Sequence, residues 1–441
     1  MSSVTNFQKF TLDNKDNLYV FPTDKFKTVH VILLFHRNLG REATLNALFP
    51  NILERGCGKY PNMPSIAKFQ ESLFNADFCT DILKYGDRQI VCFQLSLVND
   101  RFLPGKKGNF NKGMDFLKKM IYEPLTKNGI FLQDYFEQEK TNQLNYLQSI
   151  INEKIQYANK RCIEEMCKGE AYGYSEDGDI EELKKISNSE TFGHYEEFLR
   201  ETPCDIIVLG QVEPGKIYSR FNRLFGAKKN HAITISPTLV DKKVEKLNIV
   251  IEEDDVEQGK LVMGLRTYTT YGDDGIFALI FFNNLLGGTP NARLFKQVRE
   301  QNGMAYYVSS GIEHTKGIMK INAGINAENF SKAINLIIEQ KESILSGNIS
   351  EEEWKVSSSI IINNLKTIGD SPSAIAHTYM EQLIHNKFYS EQDMIDRILS
   401  VSKNDVIEAG KKVKLDTIYF LVPKGAKDKC YEKVAELHRD I

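Results

Sequence analysis

Two periodicities alternate along the chain, and the order of alternation occurs twice. In the first half the apolar run TVHVILLFHR (Thr28 to Arg37) predicts a strand, and the 3.6-residue spacing of TLNALFPNILERG (Thr44 to Gly56) predicts a helix. A second helix, SIAKFQESLFNA, is followed by two alternating stretches, DFCTDILKYGD and RQIVCFQLSLVND. Then come an amphipathic helix around GMDFLKKMIYEPL and a long helical run from about Asp134 to Lys168. The half closes on the helix TFGHYEEFLRE and the strand CDIIVLGQVE. The second half repeats this order, from the strand GKLVMGLRTYTT and the helices GIFALIFFNNLLGG and NARLFKQVREQNG, through strands AYYVSSGIEH and GIMKINAGIN, to four further helical stretches and the final strand DTIYFLVPKG.

SLFNADFCTDI lies over VREQNGMAYYV in this correspondence, so the chain reads as a duplication. The expected fold is α+β: two homologous tandem domains, each a mixed or antiparallel sheet with helices packed on one face. The length of 441 residues suits two cores better than one. The polar, irregular stretch AKKNHAITISPTLVDKKVEK is the natural join, giving domains at 1–226 and 247–441 with a linker at 227–246.

Charge changes the picture little. With 56 basic and 59 acidic residues the net charge is −3, which offers no general attraction to nucleic acid or anionic membrane. The Lys-rich PGKKGNFNKG (Pro104 to Gly113) reads as a solvated loop, since no aromatic or Arg residues interleave it. Seven cysteines without a CxxC indicate reduced thiols. No apolar stretch reaches the ~20 residues of a membrane span, and the N-terminus lacks the basic head and apolar run of a secretory signal. The expectation is a cytoplasmic protein.

Hydrolytic zinc needs three protein ligands, an open position and a carboxylate base. The cheapest helical source is a pair of His at i and i+4. The eight histidines stand at 30, 36, 194, 231, 314, 377, 385 and 438, and no two are three, four or five apart. Each reads as a structural or surface residue. LGGTPNARLFKQV enters a helix through a Gly pair but lacks the Lys-Ser/Thr of a phosphate loop, and neither a G-x-S-x-G elbow nor a marked nucleophilic Cys occurs.

The two-fold plan, LGGTPNARLFKQVREQNGMAYYV and the helix ending RCIEEMCKGEAYG together resemble the pitrilysin/insulinase family of zinc peptidases, over essentially the whole chain. The likeness is to half-length bacterial members of the mitochondrial-processing-peptidase type, which implies one half of a metallopeptidase clamshell. The family carries an inverted motif, His-x-x-Glu-His, ahead of a Gly-containing turn. Counting back from Gly56 places those positions on Ala47, Pro50 and Asn51, so both His and the general-base Glu are replaced. The family's third ligand, a Glu on the long helix, falls on Tyr146 (from Glu139) or Leu144 (from Glu137). Ala and Pro cannot coordinate zinc and Asn is a poor ligand, so the resemblance implies no zinc on this chain.

The same resemblance implies that the second domain keeps a substrate-holding Arg and Tyr seven residues apart, Arg299 and Tyr306. From spacing alone the plainer reading is an exposed helix Arg with a strand Tyr packed beneath it. Tyr307 is the adjacent alternative, on the opposite face of the strand. Zinc-motif-less family members with an Arg/Tyr pair, and with a segment like MCKGEAYG, are paired with motif-bearing sisters. The expected function is therefore the non-catalytic subunit of a heterodimeric zinc metallopeptidase, inactive alone, that binds and orients peptide for a zinc-bearing partner. The alternative is an inert scaffold or peptide-binding protein, possibly homodimeric. An active peptidase with ligands such as Asn51 and Glu54 fits poorly with zinc's preference for Cys, His and carboxylate sets.

Overall fold

The computed structural model describes residues 7–105, 108–227, 229–230 and 232–437. Lys106 and Lys107 of the expected loop, Lys228 of the expected linker, and His231 and His438 lie outside them. The described residues form two compact units. One comprises those up to Ser149 with Tyr174–Pro237 and Gly369–Ala376; the other comprises Ile150–Gly173, Thr238–Ile368 and the residues from His377 onward.

The first unit is built on six strands: β1 (Gln8–Thr11), β2 (Asn17–Pro22), β3 (Thr28–Asn38), β4 (Asp77–Tyr85), β5 (Arg88–Val98) and β6 (Cys204–Gly210). Their spatial order is β1-β2-β6-β3-β5-β4, with β2 and β6 parallel and the other pairs antiparallel. The second unit has five: β7 (Asn248–Asp254), β8 (Gly259–Arg266), β9 (Ala305–Glu313), β10 (Ile318–Ile325) and β11 (Lys414–Pro423). They lie in the order β9-β10-β8-β11-β7, again with one parallel pair, β11 and β7.

Setting β1 aside, the two sheets have one topology. In each, the first strand of the half lies parallel to the last, and the other three follow in the same order. The duplication predicted from the pattern is thus present, but its opening strands, β2 and β7, were not among the predicted elements. NLYVFP and NIVIEED are short, and each gains its place from a partner far away in sequence.

Alternation along the strands gives each sheet two faces. In the first unit Phe35 and Phe93 meet at 5.9 Å, and Phe198 of the helix Asn188–Glu201 joins them, 5.5 Å from Phe35. Helix α1 (Ala43–Glu54) docks here through Phe49, 4.9 Å from Phe198. In the second unit Leu261, Met263, Leu265, Ile418 and Phe420 form one core with Phe281, Phe282 and Leu285.

The long helical run expected from Asp134 to Lys168 is broken at Glu153, whose ψ of 80° leaves the helical region. It becomes α2 (Gln133–Asn152) and α3 (Lys154–Met166). Ala158 and Cys162 of α3 pack on Val262, Tyr419 and Leu421, the face of the second sheet opposite its main core. Charged contacts fasten the segment. Glu252 of β7 accepts from Arg161 Nη2 at 2.6 Å and from the Tyr419 hydroxyl at 2.8 Å. Glu170, just beyond α3, accepts from Arg266 (2.6 and 3.0 Å), Lys242 (3.0 Å) and the fully buried Lys316 (3.0 Å). Burial pushes the Glu170 carboxyl up, but these donors outweigh it and hold the group at about 2. Residues 150–173 therefore complete the second unit, although they precede the expected linker.

Candidate functional site

Helix α1 ends against a turn that only glycine fits. A Cβ on Gly56 would lie 2.8 Å from the Tyr60 carbonyl oxygen and the Pro61 carbonyl carbon. The turn fixes the phase of α1, and with it what the helix presents. Ala47 and Asn51, one helical turn apart, line a cleft of about 310 Å³ together with Thr80, Asp81 and Ile82 of β4, Glu139, Asn142, Gln143 and Tyr146 of α2, and Asp177. Pro50, a helix-interior proline, is buried and does not line the cleft. Of the two candidate positions on the long helix, Tyr146 reaches the cleft and Leu144 does not.

The residues lining the cleft are tied to one another by hydrogen bonds. Asn51 Nδ2 donates to the Ala47 carbonyl at 3.1 Å and to Gln143 Oε1 at 3.4 Å, and Gln143 Nε2 donates to the Asp177 carbonyl at 2.9 Å. Arg55 is ion-paired with Glu139, itself nearly buried. Tyr146 donates to Asp177 at 3.4 Å, and burial, reinforced by that carboxylate, pushes the phenol up to about 12. Burial also raises the Glu54 carboxyl, opposed by its hydrogen bonds with Thr80. Glu139 entered the sequence reading only as the point from which Tyr146 is counted, and Gln143 and Asp177 were not reached, because no spacing rule connects them to α1.

The second unit holds the other candidate pair. The helix expected at 291–303 is present but winds in the π register, as α4 (Leu294–Gln301), with the Asn302 N–H bonding to Gln297 five residues back at 3.2 Å. Such segments are rare and concentrate at functional sites. Its start is clamped by nearly buried Arg293, which donates to both oxygens of Glu353 (2.9 and 3.1 Å), to Ser343 Oγ (3.0 Å) and to the Asn348 carbonyl. Arg299 is exposed, its guanidinium 4.7 Å from the Phe295 ring centre.

Gly303, at φ +59°, lets the chain reverse into β9. There the register passes from Ala305–Ile325 directly to Tyr307–Gly324, leaving Tyr306 as the extra residue of a bulge, 67% exposed. Tyr307 is packed instead: Lys260 stands 5.9 Å over its ring, and burial pushes its phenol up to about 12. Bulges re-aim side chains, which accounts for the different exposure of these neighbours.

Residues 186–358 match the family model described as "Peptidase M16 inactive domain". The chain is 31% identical over 404 residues, covering 91% of it and 95% of the relative, to the "Probable inactive metalloprotease YmfF" of Bacillus subtilis. The chain belongs to the M16 peptidase family. Another family relative, the "Uncharacterized zinc protease YmxG" of the same organism, is 26% identical over 151 residues, which is 34% of this chain and 37% of that protein. Among solved structures, a conserved protein of Enterococcus faecalis V583 superimposes with a TM-score of 0.90 at 27% identity, over 95% of this chain and 99% of that one.

M16 chemistry at this cleft would require a zinc ligand set, and the residues present do not provide one. Ala47 offers a methyl group, Pro50 faces away, and Asn51 is engaged by Gln143. Glu139 is committed to Arg55, and Asp177 accepts from Tyr146. Among the described residues there is no group of three or more His, Cys, Asp or Glu able to hold a metal ion. No described helix is long and apolar enough to cross a membrane.

Proposed function

We propose that this M16-family chain is the inactive, zinc-free subunit of a two-chain zinc peptidase, holding peptide substrate for a homologous partner that carries the zinc and the general base. The observation that carries the reading is a contrast between the two candidate sites. In the cleft at Ala47 and Asn51 the polar side chains are engaged by amide hydrogen bonds and an Arg–Glu pair, while Arg299 and Tyr306 are exposed on a π-helix and a bulge. A guanidinium donates paired hydrogen bonds to a carboxylate or a peptide carbonyl, and a phenol donates to the oxyanion that forms at a cleaved peptide. Likeness to relatives named both as an inactive metalloprotease and as a zinc protease in one organism supports the pairing of two such chains. An extended peptide can add its backbone to a sheet edge such as β9, which reads shape more than sequence. The working compartment in this reading is the cytoplasm, without nucleic acid.

The test is purification of the chain from its own cells, with partner identification and zinc measurement on the eluate. A near one-to-one partner bearing His-x-x-Glu-His, with zinc following the partner, is the expected result. In that complex Arg299→Ala and Tyr306→Phe should each lower turnover by about tenfold or more while leaving assembly intact. Recovery of a metal-free homodimer, or variants that cleave peptide at the normal rate, would overturn the reading.

A further inference from the structure

Among the described residues, strand β4 is the last strand of the first sheet and pairs only with β5. In an antiparallel pair, alternate residues turn their N–H and C=O groups toward the partner and the residues between turn them outward. An edge of outward donors is a template for a further strand. On β4 two such donors are already taken by carboxylates. Glu54, the last residue of α1, accepts from the Thr80 N–H, and Asp81 Oδ1 accepts from the Ile82 N–H at 2.8 Å. Thr80 and Ile82 share one parity, as outward-facing residues must, and both border the cleft beside Ala47 and Asn51.

We infer that Glu54 and Asp81 close this edge of the sheet, so that an extended backbone, from a peptide or a second copy of the chain, can add to β4 only by displacing two anionic acceptors. The device has two parts. Each carboxylate occupies the place a strand's carbonyl oxygens would take, and together they present negative charge where an incoming carbonyl dipole would need donors. Burial holds the Glu54 carboxyl above its ordinary value, so the contact with Thr80 is kept against a desolvation cost. The edge of the second sheet differs. On β9 the Ser310 N–H is taken by the Gly287 carbonyl at 2.9 Å, and among the described residues no carboxylate accepts from the Val308 N–H. The consequence for the proposed function is that carboxylates oppose peptide pairing at the first sheet, whereas at the second one donor is taken by a backbone carbonyl. The closure itself rests on β4 alone.

The experiment uses the full chain without partner or substrate, so it stands or falls separately from the two-chain reading. Amide hydrogen exchange is followed at Thr80 and Ile82 in the wild type, Glu54→Ala/Asp81→Ala and the shape-preserving Glu54→Gln/Asp81→Asn. Sedimentation velocity over a concentration series then measures strand addition, the chain itself being the probe. Both amides should be protected in the wild type, and protection should fall on the order of tenfold in the alanine variant and less in the amide variant. Self-association should strengthen in the same order. Unprotected wild-type amides, or variants with unchanged exchange and unchanged association, would overturn the proposal. Should the alanine variant unfold, the amide variant decides by the same readouts.

Discussion

Replacing Glu170 by Gln removes one charge and almost no volume from the most heavily buried ion cluster of the second unit. Arg266, essentially inaccessible to solvent, would then keep Asp416, which accepts from its Nε at 2.9 Å, and the equally buried Lys316 would lose its ion pair with Glu170. Uncompensated buried charge costs about 3–5 kcal/mol when one partner of a buried pair is removed. The titration of the group points the same way. A carboxyl held at about 2 instead of its ordinary 4.5 contributes about 3 kcal/mol once it is ionised in both folded and unfolded chains. The folded value is depressed, so this stabilisation is full above pH 4.5 and is lost as pH falls toward 2. At 2–4 °C per kcal/mol, the variant should melt roughly 6–12 °C lower in the transition of the second unit. Calorimetry of wild type and Glu170→Gln at pH 7, 5, 4 and 3 measures it, and the difference should shrink below pH 4.5. A variant within about 1 kcal/mol of wild type at pH 7, or a gap that does not narrow with acid, would refute the reasoning.

Other expectations follow from the same geometry. A fragment of residues 247–441 lacks the α3 segment and Glu170, and should show no cooperative melt by circular dichroism; co-expression with residues 1–246 should restore one. His194 donates to Asn46 Oδ1 at 2.7 Å, and burial together with the Arg37 charge lowers its ring to about 4. Because the unfolded ring protonates first, stability should decline as pH falls from 6.5 toward 4, and nuclear magnetic resonance should find that ring neutral at pH 6. Gly56→Ala forces a methyl against backbone atoms of Tyr60 and Pro61 that have no side-chain freedom to yield. It should cost about 1–3 kcal/mol in urea unfolding.

The duplicated order was legible because β3, β5, β8 and β10 carry strong apolar patterns bounded by turns. β2 and β7 were not, since their parallel partners, β6 and β11, lie far along the chain and leave no local signal. The stretch from Asp134 to Lys168 contains neither Pro nor Gly, so nothing local announces the break at Glu153. The break belongs to tertiary packing, in which Ala158 and Cys162 are drawn onto the second sheet. At the cleft, the positions counted from Gly56, Ala47 and Asn51, line one wall, and Tyr146 lines it with them. The amides and ions that line it come from four separate segments. The π register around Arg299 and the bulge at Tyr306 are properties of hydrogen-bond alignment, which side-chain spacing does not encode.

The position of α3 also orders events during synthesis. Its sheet-facing residues emerge from the ribosome long before β11, the strand bearing Tyr419 and Leu421 that they cover. With about 250 residues intervening, the delay at 5–20 residues per second is roughly 12–50 s. For that interval Ala158 and Cys162 have Val262 of β8 to meet but not Tyr419 or Leu421, whereas Glu170 can meet Lys242, Arg266 and Lys316 sooner. The nascent chain must carry a half-covered amphipathic helix, a species for chaperones to shield, until β11 is made.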